Sequence, residues 1–238
     1  MDWRKAAIFG ASGGIGAALV QALAEQGCEV LAGSRSGNVR RHDGVTPFAF
    51  DLDDETSIAA AVEPWRDDPP DLVIVATGVL TLPDSTGPER SYRHIDAAAM
   101  ARMFALNTIG PALVGKHVLP LFPRGRPATF AALSARVGSI GDNRIGGWHS
   151  YRASKAALNM LVRNFAIEMA RTHKQASIVG LHPGTVDTAL SEPFQSNLPE
   201  GQLTPAEESA TNLMSVLDGI GPEQSGNVFD WKGERIEP

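Results

Sequence analysis

The sequence predicts an α/β fold: a single domain built on a doubly wound parallel sheet with helices on both faces. Three observations carry the prediction. Short β-rich runs alternate with helix-period segments along the whole chain. Several of those runs are near-continuously apolar, as strands buried on both faces of a parallel sheet are. A glycine-rich loop joins the first strand to the first helix.

Taken in order, the elements are consistent with that plan. "AAIFG" (6–10) reads as the first strand and "IGAALVQALAEQG" (15–27) as an amphipathic helix. "EVLAGS" (29–34) and "TPFAFD" (46–51) read as strands, "DETSIAAAVEPW" (54–65) as a helix and the apolar run "DLVIVAT" (71–77) as a buried strand. A long helix with a wide apolar face is predicted over 97–122, a strand over 128–134 and a second such helix over 151–172. Strand 176–183, helix 204–220 and strand 227–231 complete the chain, with no internal repeat, low-complexity tract or interdomain linker.

Length and composition bound the function. The 238 residues suffice for one sizeable core. A net charge of -6 and a pI of about 5.5 argue against a nucleic-acid footprint and for a small-molecule partner. Cys28 is the one cysteine, so no internal disulfide can form and a reducing compartment fits. The start of the chain has no apolar stretch of signal-peptide type, and no later run reaches the roughly 18 apolar residues of a membrane span. The expectation is a cytoplasmic protein with no membrane partner.

The loop "GASGGIG" places Gly10, Ser12, Gly14, Ile15 and Gly16 between strand and helix. Glycines there let the backbone turn tightly and approach a pyrophosphate, which the free N–H groups of the helix N-terminus can bind. Three glycines in seven residues also occur in ordinary turns, so the strand-to-helix context carries the assignment. After the second strand comes "SRSG", with no acid to bind a ribose 2′-hydroxyl. Arg35 with the hydroxyls of Ser34 and Ser36 suits a 2′-phosphate, which favours NADP(H) over NAD(H); a solvated surface arginine is the alternative.

"YRASK" sets Tyr151 four residues before Lys155, on one face of a helix. A phenol with an ordinary pKa near 10 becomes useful for proton transfer when a nearby ammonium favours the phenolate. Two tyrosines and five lysines in the chain leave chance as a rival for the pair alone.

The full set of motifs resembles the short-chain dehydrogenase/reductase family over nearly the whole chain, and within it the C-factor/sniffer-type carbonyl reductases. The glycine loop matches the family's TGxxxGxG element with Phe9 in place of threonine; "FDLDD" resembles its acidic-hydrophobic pair, "VATG" its NNAG element, "YRASK" its YxxxK pair and "HPGTVDT" its PG element. The resemblance implies a Rossmann-type fold and an oxidoreductase acting on a carbonyl or alcohol. It implies that Asp51 and Leu52 border the adenine, that Ala76, Thr77 and Gly78 follow the fourth strand against the cofactor, and that Pro183, Gly184, Val186 and Thr188 reach the nicotinamide end. It implies that Lys155 binds the nicotinamide ribose and that Asn107, in "LNTIGP", holds a water of a proton relay.

The family also carries a serine on the fifth strand to hydrogen-bond the substrate oxygen. Counting back from Gly138 places Ala135 at that position, with Ser134 beside it. Side chains alternate along a strand, so one residue matters. Ser134 is the candidate if the strand ends one residue early, Ser139 is a substitute, and a missing hydroxyl is the third possibility.

His149 and His182 are expected to be structural, Trp148, Phe194 and the segment 191–205 to line or cover the substrate side, and Trp231 to pack a final strand. No His, Cys, Asp or Glu group has metal-ligand spacing. The apolar faces of the helices 97–122 and 151–172 predict a homo-dimer or homo-tetramer.

Overall fold

The computed structural model describes residues 3–82, 87–197 and 202–238. The strands are β1 (Lys5–Phe9), β2 (Glu29–Ser34), β3 (Val45–Ala49), β4 (Leu72–Val75), β5 (Ala128–Leu133), β6 (Ala176–His182), β7 (Thr185–Val186), β8 (Leu203–Thr204) and β9 (Val228–Asp230). The helices are α1 (Gly14–Glu25), α2 (Glu55–Val62), α3 (Ala97–Phe104), α4 (Gly110–Val118), α5 (His149–Met169) and α6 (Ala206–Asp218). Seven strands form one parallel sheet in the order β3-β2-β1-β4-β5-β6-β9, while β7 and β8 pair separately. The doubly wound α/β expectation holds, and the order reverses between β1 and β4, where such sheets open a crevice for ligands.

Alternation along β1 divides the core. Ala6 and Ile8 face a cluster that includes Leu19 and Leu23 of α1 with Leu213 and Leu217 of α6. Ala7 and Phe9 face the other side, with Ile58 of α2, Val114 of α4 and Leu158 and Val162 of α5. Pro47 is tolerated in β3 because that strand lies at the sheet edge, where one row of backbone groups needs no partner.

The strands end earlier than their apolar runs. β3 stops at Ala49 and β4 at Val75, which leaves Asp51–Leu52 and Ala76–Gly78 as loops beyond the C-terminal ends of the strands. The predicted helix 97–122 is continuous from Ala97 to Leu121, but it carries a π turn at Ala105–Ile109 between α3 and α4. Pro111 has no N–H for the carbonyl of Asn107 four residues back, and the Gly110 N–H instead bonds the Ala105 carbonyl. By length and composition, with a mean hydropathy of 1.3, this helix could cross a membrane. Counting uninterrupted apolar runs misses it because its polar residues are spread along it. Here Met103, Val114 and Val118 are buried in the protein's own clusters.

Candidate active site

The glycine loop is built for close approach. Gly10 has φ +97, and a Cβ there would lie 2.9 Å from Thr77 Cγ2. On Gly16 a Cβ would lie 2.1 Å from the Gly10 carbonyl oxygen, and on Gly14 2.6 Å from Thr188 Cγ2. The loops after β1, β4 and β6 therefore touch along the crevice at the strand-order reversal. Gly13 caps α1 without a side chain, so no side-chain acceptor covers the first-turn N–H groups. Ser12 is exposed on the loop, and Ile15 packs on the core behind it. The hydroxyl of Thr77 is buried with no partner among the described residues. A cradle that side chains would fill, uncapped N–H groups and an orphaned hydroxyl fit the pyrophosphate of a dinucleotide.

At the sheet edge, Ser34 departs from expectation. It is buried, and its hydroxyl donates to the Asn38 carbonyl at 3.0 Å, so it serves the loop rather than a phosphate. Arg35 is exposed and makes no ion pair among the described residues. Asp51 accepts from the Asp53 N–H at 3.0 Å, and Leu52 lies against Gly110, whose hypothetical Cβ would be 2.8 Å away. Arg102 grips Asp53 with two bonds of 2.5 and 2.7 Å and holds its carboxyl below the usual range.

Helix α5 brings Tyr151 and Lys155 together beneath the β5 end, both buried. Lys155 Nζ donates to the Leu133 carbonyl at 2.8 Å and lies 5.9 Å from the Tyr151 ring centre. Asn107, fully buried in the π turn, accepts from the Val79 N–H and donates to the Val79 carbonyl, both at 2.8 Å. It also donates to Ser154 Oγ at 3.2 Å, and Ser154 donates to the Tyr151 carbonyl at 2.8 Å. A Cβ on Gly78 would be 3.3 Å from both Asn107 Oδ1 and Lys155 Nζ. Asn107, Gly78, Tyr151 and Lys155 thus share one small volume.

Electrostatics there differ from the simple expectation. Burial pushes the Tyr151 phenol up to about 12 and the Lys155 ammonium down to about 8. The ammonium does not bring the phenol toward neutrality with only the chain's own groups acting, because desolvation weighs against both charges and Nζ is turned to the Leu133 carbonyl.

β5 settles which side chain faces the phenol. Ser134 lies one residue beyond the strand and donates to Asn159 Oδ1 at 2.5 Å, whereas Ala135 packs in the cluster with Tyr151, Leu80 and Met103. Alternation thus turns Ser134 away and places a methyl where a hydroxyl was sought. Ser139 is buried and accepts from the Asp142 N–H at 3.0 Å.

On the β6 side, Gly184 has φ +79 and lies under the Trp231 ring, Val186 is buried in β7, and Thr188 closes on Gly14. Pro183 links β6 to this turn. Burial first, then Arg136, lowers His182 to about 4, so it is neutral. The Trp148 ring lies 6.3 Å from Tyr151 and 5.5 Å from Phe194. Of the expected cover 191–205, residues 198–201 lie outside the described residues.

A cavity of about 550 Å³ adjoins Tyr151, lined by Leu80, Met103, Glu89, Arg90 and Ser150 among others. Two participants escaped the sequence reading. Ser154 sits at the third position after Tyr151, a helical spacing that could have flagged it. Glu89 lies in an irregular stretch with no periodic signal.

Known proteins resemble this chain in sequence and fold. Residues 4–199 match the family model described as short chain dehydrogenase. C-signal of Myxococcus xanthus is 37% identical over 142 residues, which cover 60% of this chain and 80% of that protein. An NADPH-bound carbonyl reductase from chicken fatty liver aligns with a TM-score of 0.83 at 25% identity, over 99% of this chain and 94% of that one. The carbonyl reductase Sniffer of D. melanogaster shares the fold with a TM-score of 0.84 at 20% identity, over 99% of each chain.

Proposed function

The chain belongs to the short-chain dehydrogenase family of oxidoreductases, and from that premise we propose that it is an NADPH-dependent carbonyl reductase acting on a ketone, aldehyde or quinone. The observation that carries the reading is the Tyr151 phenol in the wall of a 550 Å³ cavity, one helical turn from Lys155 and beside the glycine cradle. The likeness to an NADPH-bound carbonyl reductase supports it.

Gly10, Ser12, Gly14, Ile15 and Gly16 would hold the pyrophosphate, with Thr77 supplying the hydroxyl. Arg35 would meet the 2′-phosphate, Asp51 and Leu52 the adenine, and Ala76, Gly78, Pro183, Gly184, Val186 and Thr188 the nicotinamide half. When bound, the reduced nicotinamide supplies the hydride that adds to the carbonyl carbon. Tyr151 gives its phenolic proton to the carbonyl oxygen as the C–O double bond becomes single. Lys155 would hold the ribose and, once charged, stabilise the phenolate left behind. Asn107 fixes the backbone at Val79 and, through Ser154, the helix that carries the phenol. The apolar cluster of Leu80, Met103 and Ala135 against Tyr151 lowers the local dielectric and strengthens the proton donor's bond to the oxygen.

Ala135 supports a second reading, a dinucleotide-binding sensor that does no chemistry, in which Tyr151→Phe leaves the cellular output intact. A third keeps the scaffold as an NAD(P)-dependent alcohol or hydroxysteroid dehydrogenase. We place the protein in the cytoplasm, as a homo-dimer or homo-tetramer joined through the exposed Ile109, Met160 and Ile167. The test is consumption of NADPH against a quinone, an aromatic aldehyde and a cyclic ketone. Turnover of at least one supports the reductase, and binding of NADPH with no carbonyl reduced favours the sensor.

A further inference from the structure

We propose that Glu89 is a positioning residue that fixes the start of α5 and thereby holds Tyr151 in place. The role it plays for the reaction rests on the carbonyl reductase reading; the role it plays for the tyrosine does not.

Tyr151 is the third residue of α5, and the helix begins badly on its own account. Its N-cap, Trp148, has no side-chain acceptor to offer and holds φ +51, a left-handed conformation that a bulky residue adopts only when its surroundings impose it. Glu89, from 61 residues away in sequence, supplies what is missing. Its backbone carbonyl accepts the Trp148 N–H at 2.5 Å. Its carboxylate accepts the Ser150 N–H at 3.2 and 3.3 Å and also takes the Ser150 hydroxyl. One residue thus acts as N-cap from a distance and pins the backbone on both sides of His149, immediately before the tyrosine.

The charge state suits the task. Burial raises the Glu89 carboxyl, but the bonds from Ser150 and from its own backbone N–H, with His149 adding to them, together outweigh it, so the group stays below the ordinary carboxylate range. Arg90, His94 and Asp96 share the cavity wall with it. The pinned Trp148 ring then packs edge-on against Tyr151, at 6.3 Å. Loosening Glu89 therefore frees both the backbone that carries the phenol and the ring that shields it.

The two tyrosines make this measurable without cofactor or substrate. Tyr92 is 67% exposed, whereas Tyr151 is 8% exposed and burial pushes it up to about 12. In the wild-type chain, tetranitromethane at neutral pH should nitrate the exposed Tyr92 and spare the buried Tyr151, as peptide mass mapping reads. In Glu89→Ala and Glu89→Gln, Tyr151 should be nitrated as well while circular dichroism stays that of the folded protein. With NADPH and a reducible carbonyl, both variants should lose about 10- to 100-fold in kcat with the KM for NADPH within about twofold. Glu89→Asp should recover part of the loss.

If Glu89→Ala does not fold, Glu89→Gln decides, since it keeps the size and the backbone carbonyl. A Tyr151 still spared by the reagent in Glu89→Gln, with kcat within twofold of wild type, overturns the proposal. A nitrated Tyr151 in a variant of a protein that reduces no carbonyl would sustain the positioning role and sink the carbonyl reductase reading instead.

Discussion

Ser134→Ala separates stability from catalysis. The hydroxyl of Ser134 donates to Asn159 Oδ1 at 2.5 Å, eight residues along α5 from Tyr151. Its loss removes one hydrogen bond, and Asn159 is only half-buried, so its oxygen can turn to water. The cost is about 0.5–1.5 kcal/mol, without the full penalty of a stranded buried group. For a domain of this size that lowers Tm by roughly 1–6 °C. Steady-state reduction of a carbonyl by NADPH should stay within about threefold of wild type. A donor that touched the reacting oxygen would instead cost about 10²- to 10³-fold in kcat, or ~2.7–4 kcal/mol. The companion variant Ala135→Ser puts a hydroxyl into the cluster with Tyr151 and should raise kcat. Thermal melts and steady-state kinetics on both variants give the answer. A hundredfold loss of kcat in Ser134→Ala with an unchanged melt would refute the assignment of faces at the end of β5.

Other perturbations test the remaining parts. Asn107→Ala removes both side-chain partners of the half-buried Val79 N–H and carbonyl, at about 0.5–1.5 kcal/mol each, so Tm should fall by roughly 3–12 °C and turnover should drop with it. A melt within about 2 °C of wild type would contradict that network. Arg35→Ala should weaken NADPH binding by about 10- to 100-fold, as expected for loss of a bond to a charged group, and leave NADH unchanged; equal effects on both cofactors would remove Arg35 from the 2′-phosphate site. Burial lowers Lys155 from 10.5 to about 8 in the fold, so between those values its contribution to stability rises with pH, while the burial that raises Cys28 from 9.0 to about 11 opposes it above pH 9. The Cys28 contribution is common to wild type and Lys155→Met, so the stability difference between the two in urea unfolding should change by up to ~3 kcal/mol across the window, and a difference flat in pH would contradict the buried ammonium.

Much of this was legible in the sequence, for physical reasons. Buried parallel strands are apolar on both faces, and the glycine loop lies where strand meets helix, so sheet, crevice and cradle could be placed from pattern alone. Tyr151 and Lys155 were visible because helical spacing is a local property. The side that Ser134 faces was not, because it turns on where β5 ends, and a one-residue change inverts every side chain beyond it. The π turn at Asn107 depends on Pro111 and on a partner at Val79, 28 residues away. Ser34 looked like a phosphate ligand by position, but its hydroxyl is satisfied by a loop carbonyl that only the folded turn brings near. Glu89 was invisible for the same reason: its role exists only when its segment lies against the start of α5. The raised phenol follows from burial, which spacing does not report.

The most direct test of the central claim compares wild type with Tyr151→Phe, each titrated with NADPH and then given the carbonyl panel. Phenylalanine keeps the ring and its packing against Trp148 and removes only the proton donor. The account predicts NADPH binding within about twofold in both proteins, carbonyl reduction by the wild type, and a loss of at least about 10²-fold in the variant. Equal turnover by both would contradict the assignment of Tyr151 as the proton donor.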